Sequence, residues 1–248
     1  SPHGSVIWLL LSFLDDANAP SAAISVISKR CDERFVHGLL RKVGREPSAT
    51  MLQNLKRIDS LAWLKGGTAL LDRLDEQSQH AAVKLLTATG VPRAQTFATI
   101  RYLLLHGNAG GRRAAAQALE SFAGVEANEL ALHGLEDEDP QVQAHVLGQV
   151  RRRGIPGALL RLVEMVDSPH PVVRKAARKS LAEFSFKRFL AAFDMLDEEV
   201  RRSTGSLVKK VDAQTIPLLQ AEMESKLRKR RLRALAIANA IDAVRDLE

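Results

Sequence analysis

Side chains able to do chemistry at neutral pH are few in this sequence. The histidines come first, because imidazole is the commonest metal ligand and a frequent general base. There are seven, His3, His37, His80, His106, His133, His145 and His170, and none sits in a Cys/His spacing that suits a metal site. His37, His106 and His133 are each followed by glycine at or near the expected end of a first helix, where an imidazole complements the helix C-terminus. The single cysteine, Cys31, excludes an internal disulfide and a multi-cysteine zinc site. It reads as a buried, inert thiol of a protein kept in a reducing compartment, the cytoplasm. No glycine-rich phosphate loop with its lysine and no serine elbow occurs. Gly110 and Gly111, ahead of Arg112 and Arg113, could bind an anion at a helix start, but a tight turn between helices accounts for the pair more simply. These residues point to no catalytic centre, no metal and no cofactor.

What remains is charge. Arg174, Lys175, Arg178 and Lys179 stand at i, i+1, i+4 and i+5 and so share a helix face. Arg201, Arg202, Lys209 and Lys210 follow, and then a run that includes Lys226, Lys229, Arg230, Arg231 and Arg233. Acidic residues gather elsewhere, in Glu136 to Asp139 and in Asp197 to Glu199. The net charge is +7 and the pI about 9.8, which favours acidic partners while staying moderate for a dedicated nucleic-acid binder.

Elements must position these groups, and composition narrows which. With 248 residues and 46% apolar content the chain can bury a substantial core. Aromatics are only 4%, so that core is built from Leu, Ala, Val and Ile, which suits helix against helix better than sheet. The apolar run Val6 to Leu14 is about half the roughly 20 residues a bilayer-spanning helix needs and reads as a buried helix. The sequence does not open with Met. Ser1 to Ser5, with Leu247 and Glu248, are therefore read as margins of a piece of a longer chain.

Periodicity decides the architecture. Asp139, Pro140, Gln141, Val142 start a helix whose Val150 lies eight residues past Val142, and His170, Pro171, Val172, Val173 repeat this with Leu181 in the eighth place. Asp197 to Arg201 start the next copy, with Val208 eight past Val200, and a weaker copy begins near Leu227 with Leu235. Towards the N-terminus Gly111 pairs with Leu119, and Ser78 with Leu86. Partner helices lie between these anchors: Phe97, Ile100 and Leu104 mark one, Phe189, Leu190 and Phe193 another. Gly90, Gly124, Gly154 and Pro156 punctuate the ends of second helices. Two divergent copies precede them, pairing Val6 to Leu14 with Ser21 to Lys29, and Arg34 to Val43 with Ser48 to Ile58. Trp63 to Gly67 should break the first helix of the third copy.

An acidic turn, Pro, one residue, Val, Arg or Lys, small residues and then Leu resembles the second-helix signature of HEAT repeats. The resemblance covers residues 126 to 209 well, 69 to 125 and 210 to 241 moderately, and the first 68 by shape. It implies an all-α right-handed α-α superhelix, a solenoid of about eight stacked two-helix HEAT-like repeats. The whole of 1–248 would be one array, with 1–68 divergent and 69–241 clearer. It also implies a concave surface lined by second helices, and a family composed mostly of protein-binding scaffolds, with some nucleic-acid binders and rare enzymes. Iron hydroxylases of this architecture use adjacent His-Glu pairs, and no His here precedes Glu. Helical-repeat DNA glycosylases need an aromatic and acidic site that no motif here reproduces.

The expected function is that of a non-catalytic, armadillo-like interaction scaffold. It binds a partner protein with acidic segments through a basic ridge of Arg174, Lys175, Arg178, Lys179, Arg201, Arg202, Lys229 and Arg230. Arg174 and Arg201 have a competing structural role, pairing with acidic turn residues of their own or a neighbouring repeat, while Lys175, Lys179, Arg202, Lys229 and Arg230 exceed what a repeat needs. Nucleic acid bound through its phosphate backbone is the alternative partner, single strands being disfavoured by the lack of aromatics on the ridge. Membrane insertion is not expected, and the oligomeric state stays open.

Overall fold

In the computed structural model the described residues are 2–44 and 47–247, with backbone only for Pro2 and His3. Ser1 and Glu248, two of the residues read as chain margins, lie outside them, as does the His3 side chain. No strand occurs among the described residues. The chain forms two compact units, Ser1–Val146 and Leu147–Glu248.

The first unit holds α1 (Pro2–Ser12), α2 (Ser21–Lys29), α3 (Glu33–Gly44), α4 (Ala49–Lys56), α5 (Ala69–Asp72), α6 (Glu76–Ala88), α7 (Arg93–His106), α8 (Ala109–Ala118), α9 (Val125–Gly134) and most of α10 (Pro140–Val150). Helix α1 packs on α3, α3 on α6 and α6 on α8, while α7 lies against α8 and α9. Phe35, Leu39, Leu40, Leu85, Leu86 and Ile100 fill the space between them and are fully buried. The break expected at Trp63 to Gly67 is present as a single 3-10 turn, Ala62–Leu64, followed by Gly67 at φ +84°. Helix α3 corrects the pairing of the divergent copies. It was expected as a first helix, yet it stands in the row of second helices beside α6, because its apolar stripe of Phe35, Val36, Leu39, Leu40 and Val43 faces the core. Cys31 is exposed, contrary to expectation, because it lies in the short link before α3 and not on that stripe.

The second unit holds α11 (Ala158–Glu164), α12 (Pro171–Ser180), α13 (Phe186–Ala192), α14 (Glu198–Val211), α15 (Thr215–Met223) and α16 (Arg228–Ala240). Phe186, Phe189, Phe193, Val208, Leu219 and Ile237 belong to one cluster inside it. Within each unit successive helices pack on their sequence neighbours, so the fold is all-α and solenoid-like as expected.

The anchors at 78, 111, 142, 173 and 200 each fall on the third residue of α6, α8, α10, α12 and α14. Val142, Val150, Val173, Leu181 and Val208 are buried. The sixth anchor is displaced. Leu227 is the cap residue of α16 and 63% exposed, and Leu235 is 57% exposed. The buried stripe of that helix is Ala234, Ile237, Ala238 and Ile241. In register with the other helices its anchor is Arg230, three residues later, with Ala238 in the eighth place.

One joint recurs at the base of the second helices from α6 to α16. On four of them the cap side chain accepts a bond from the helix N-terminus: Asp75 from Ser78 N at 2.8 Å, Asn108 from Gly111 N at 3.1 Å, Asp139 from Gln141 N at 2.8 Å and Asp197 from Val200 N at 2.9 Å, while His170 of α12 and Leu227 of α16 make no such bond. Four residues past the cap stands a long donor that reaches back to carbonyls in and just before the preceding turn. Gln79 Nε2 bonds Leu71 O at 2.9 Å, Arg112 bonds Gly107 O at 3.1 Å and Gln143 Nε2 bonds Asp137 O at 2.7 Å. Arg174 bonds Ser168 O and Pro169 O, Arg201 bonds Phe193 O and Asp194 O, and Arg231 bonds Ser225 O and Lys226 O. The carbonyls left over where a helix ends need partners, and these side chains supply them. The divergent region does this with Asn54, 4% exposed, whose amide reaches Phe13 O, Leu14 O and Asp16 O.

Gly110 and Gly111 serve close packing. A Cβ on Gly111 would lie 2.2 Å from Gln79 Oε1, and one on Gly110 would lie 2.4 Å from Glu76 O, so α8 approaches α6 along its glycines. Gln79 Oε1 also accepts from Asn108 N at 2.9 Å. We therefore expect Gly111→Ala to destabilise the first unit by about 2–3 kcal/mol through overpacking and loss of this bond. Gly148→Ala, where a Cβ meets nothing, should stabilise by about 0.5–1 kcal/mol. Leu181→Ala, fully buried, should cost about 2–5 kcal/mol. Urea unfolding of the three variants checks the order, and an unchanged midpoint for Leu181→Ala would contradict its place in the core.

Candidate functional site

Second helices offer to solvent, wholly or in part, the positions five and nine residues past their caps; the position eight past is buried on α3, α6, α8, α10 and α14 and open on α12 and α16. On α12 these are Lys175, Arg178 and Lys179, all exposed. None of the three forms an ion pair among those found between described residues. Arg174, half-buried beside them, is committed to the carbonyls of its own turn. Arg201 is likewise committed, with its guanidinium stacked 4.6 Å from the centroid of the Phe193 ring. The acidic pairing expected of Arg174 and Arg201 is replaced by bonding to the carbonyls of the preceding turn, which their guanidinium groups reach from four residues past the cap. Arg112, at the same position on α8, combines the two, bonding Gly107 O while pairing with Asp137 at 3.0 Å and Glu138 at 2.8 Å.

The remaining ridge residues divide. Arg202 pairs with Glu198 one turn before it, and Arg230 forms a two-pronged pair with Glu222 of α15. That pairing holds the Glu222 carboxyl below its ordinary range, chiefly through the hydrogen bonds from Arg230. Lys229 is exposed. On α16 the position matching Lys175 and Arg202 is Leu232, 55% exposed, so the basic register does not continue onto the last helix. The second unit nonetheless holds the charge excess of the chain, with 21 Lys and Arg against 13 Asp and Glu.

Sequence reasoning missed a second basic surface in the first unit. A cavity of about 810 Å³ is lined by α3, α6, α8 and α10, and its wall carries His37, Arg41, His80, Lys84, Arg113 and His145. His37, His80 and Arg113 occupy the same register as Lys175, five past the caps Asp32, Asp75 and Asn108. Arg41 and Lys84 match Lys179, nine past. That register was the available signal, but it becomes visible only once α3 is placed in the row of second helices. His37, expected near a helix end, stands inside α3. His106 does end α7, its ring 5.0 Å from that of Tyr102, and His133 is the next-to-last residue of α9.

Among the described residues no group of His, Cys, Asp and Glu is close enough to hold a metal ion. No helix there is long and apolar enough to cross a membrane.

No family model matches the chain, and no curated protein does. Among solved structures a designed armadillo repeat protein, YIII(Dq)4CqI, aligns over 94% of this chain and 99% of its own, at 15% identity and a TM-score of 0.30. A superposition at that score carries no argument about function. The helical repetition rests on the chain's own geometry, which is that of a helical-repeat protein without distinguishing HEAT from armadillo.

Two of the cavity histidines are held below their ordinary value of 6.5. Loss of hydration does most of this at His80, helped by Lys84; at His145 the same cause leads, with Asp139 opposing and Arg113 assisting. The unfolded chain then takes up protons first as pH falls through about 6.5, so stability is present above that pH and is lost below it, down to the folded values. A His80→Gln, His145→Gln variant should lose less melting temperature than the wild type between pH 7.5 and 5.5. Parallel curves would show that these imidazoles do not sense the fold.

Proposed function

We propose that the chain is a non-catalytic interaction scaffold. It forms one array of helical repeats whose second helices line a concave face and bind acidic segments of a partner protein. The observation that carries this is the division of labour among its cations. The donors four past each cap are consumed by backbone carbonyls, whereas Lys175, Arg178 and Lys179 on the outer face of α12 project into solvent with no carboxylate paired to them. A surface charge that no internal anion balances is free to attract and orient an external one. Arg174 and Arg201 hold the ridge in shape, Arg202 joins it on release from Glu198, Lys229 is an exposed cation outside that register, and Arg230 can exchange its Glu222 partner for a ligand carboxylate only at the cost of that bond.

The charge excess of the second unit favours one other ligand, a nucleic-acid backbone, whose binding would weaken steeply with salt. A pull-down from nuclease-treated lysate decides between them. We expect protein partners to be retained by the wild type and lost, at least about tenfold in recovery, from a Lys175→Glu, Arg178→Glu, Lys179→Glu variant. All three positions are exposed, so the variant should keep its helix content. Recovery that disappears with nuclease would establish the nucleic-acid reading, and recovery unchanged in the variant would remove the ridge.

A further inference from the structure

The cavity of the first unit is a different kind of site from the ridge on α12. Its fixed charges nearly cancel. Arg41, Lys84 and Arg113 are positive; Asp75 and Glu76 at one end are negative, and Arg113 is tied at 2.5 Å to Asp139, which is 5% exposed at its side chain. Three cations thus face three carboxylates, and the variable part of the wall is His37 from α3, His80 from α6 and His145 from α10. Glu33 stands 3.8 Å from His37 on the outer side and is itself 3.9 Å from Arg73. Protonating the three imidazoles takes the site from no net charge to +3.

We infer that this cavity is a binding site for an acidic peptide segment, entered with proton uptake by His37, His80 and His145. The inference rests on the scaffold reading of the chain but not on the ridge of α12.

Several features select the ligand. The volume, about 810 Å³, suits a short stretch of polypeptide and lies within the range of built ligand pockets. No Phe, Tyr or Trp lines it, so bases would find only imidazole rings to stack upon. Asp75 and Glu76 would repel a uniformly charged phosphodiester chain at one end, whereas a peptide can present a neutral or basic residue there and carboxylates farther in. Asp75 itself is engaged by the α6 N-terminus, whose Ser78 N–H and hydroxyl hold its carboxyl below the ordinary range. The histidines do not converge on a metal geometry. The low proton affinity of His80 and His145 in the empty cavity follows chiefly from lost hydration, with Lys84 and Arg113 assisting, and a carboxylate brought beside the imidazolium offsets it by charge attraction. By linkage, a ligand that raises the proton affinity of these groups binds more tightly as pH falls.

The test is fluorescence anisotropy of the whole chain with a labelled peptide of two lysines followed by eight glutamates, at pH 7.5 and 6.0 and constant ionic strength. Glutamate remains ionised over that span, so the change reports the protein. We expect affinity to rise at least about fivefold at the lower pH through coupled proton uptake. A His37→Gln, His80→Gln, His145→Gln variant should keep its affinity at pH 7.5 and lose the rise. Arg41→Glu with Lys84→Glu, both exposed positions, should weaken binding at both pH values. The Lys175→Glu, Arg178→Glu, Lys179→Glu variant should leave the rise intact. Should the histidine variant fold poorly, the imidazole C–H signals of the wild type decide: all three should titrate at higher pH when the peptide is present. A rise that survives the histidine variant, unmoved imidazole titrations, absent peptide binding, or an equal rise with a ten-nucleotide oligothymidylate would each overturn the inference. Peptide binding that is flat with pH and lost only in the α12 variant would overturn it while leaving the scaffold proposal standing.

Discussion

The structure depends on how a helix that ends in the middle of a protein satisfies its last carbonyls. Each first helix stops at a turn, and the carbonyls there have no partner within the helix. From α6 onward each second helix supplies one from the position four past its cap. The side chain must be long, must donate, and must point back across the turn, so Gln or Arg stands there from α6 to α16. This bond fixes the angle at which the second helix leaves the turn. It thereby fixes which face meets the core and which meets solvent. An unmet buried carbonyl costs about 1–3 kcal/mol, a cost that applies in full at the buried Gln79 joint and falls away at the exposed Arg231 joint.

Because the joint sets the register, the chemistry of the surface can be counted from the cap. Five and nine residues past it lie the outward positions: His37 and Arg41, His80 and Lys84, Lys175 and Lys179. The same count shows where the surface changes character. On α14 the positions hold Arg202 and Ser206, and on α16 they hold Leu232 and Ala236. The rows of one repeat geometry therefore carry three different surfaces: imidazole and cation, bare cation, and exposed aliphatic.

Much of this was legible in the sequence. Five helices begin where the recurring anchors at 78, 111, 142, 173 and 200 put them, and the buried residues eight places on follow from the helical period. Three things were not legible, for separate reasons. The stripe of α16 is built of Ala234, Ile237 and Ala238, small residues whose signal is outweighed by the larger but outward Leu227, Leu232 and Leu235. Helix α3 has no proline or valine signature, so only packing reveals its row and, with it, the cavity. The commitment of Arg174 and Arg201 was read as a carboxylate pairing, because sequence displays charged partners and hides backbone ones.

The identity of the joint residues has a consequence for how the molecule can respond to its surroundings. Guanidinium and carboxamide donors do not change protonation between mild acid and mild base, so the geometry they maintain is indifferent to acidity there. The imidazoles of His37, His80 and His145 are not. Rigid parts and responsive parts are thus made of different chemistries and lie one residue apart on the same helix, as Gln79 and His80 do. A change in the surroundings is written onto the surface of this protein while its frame stays unaltered.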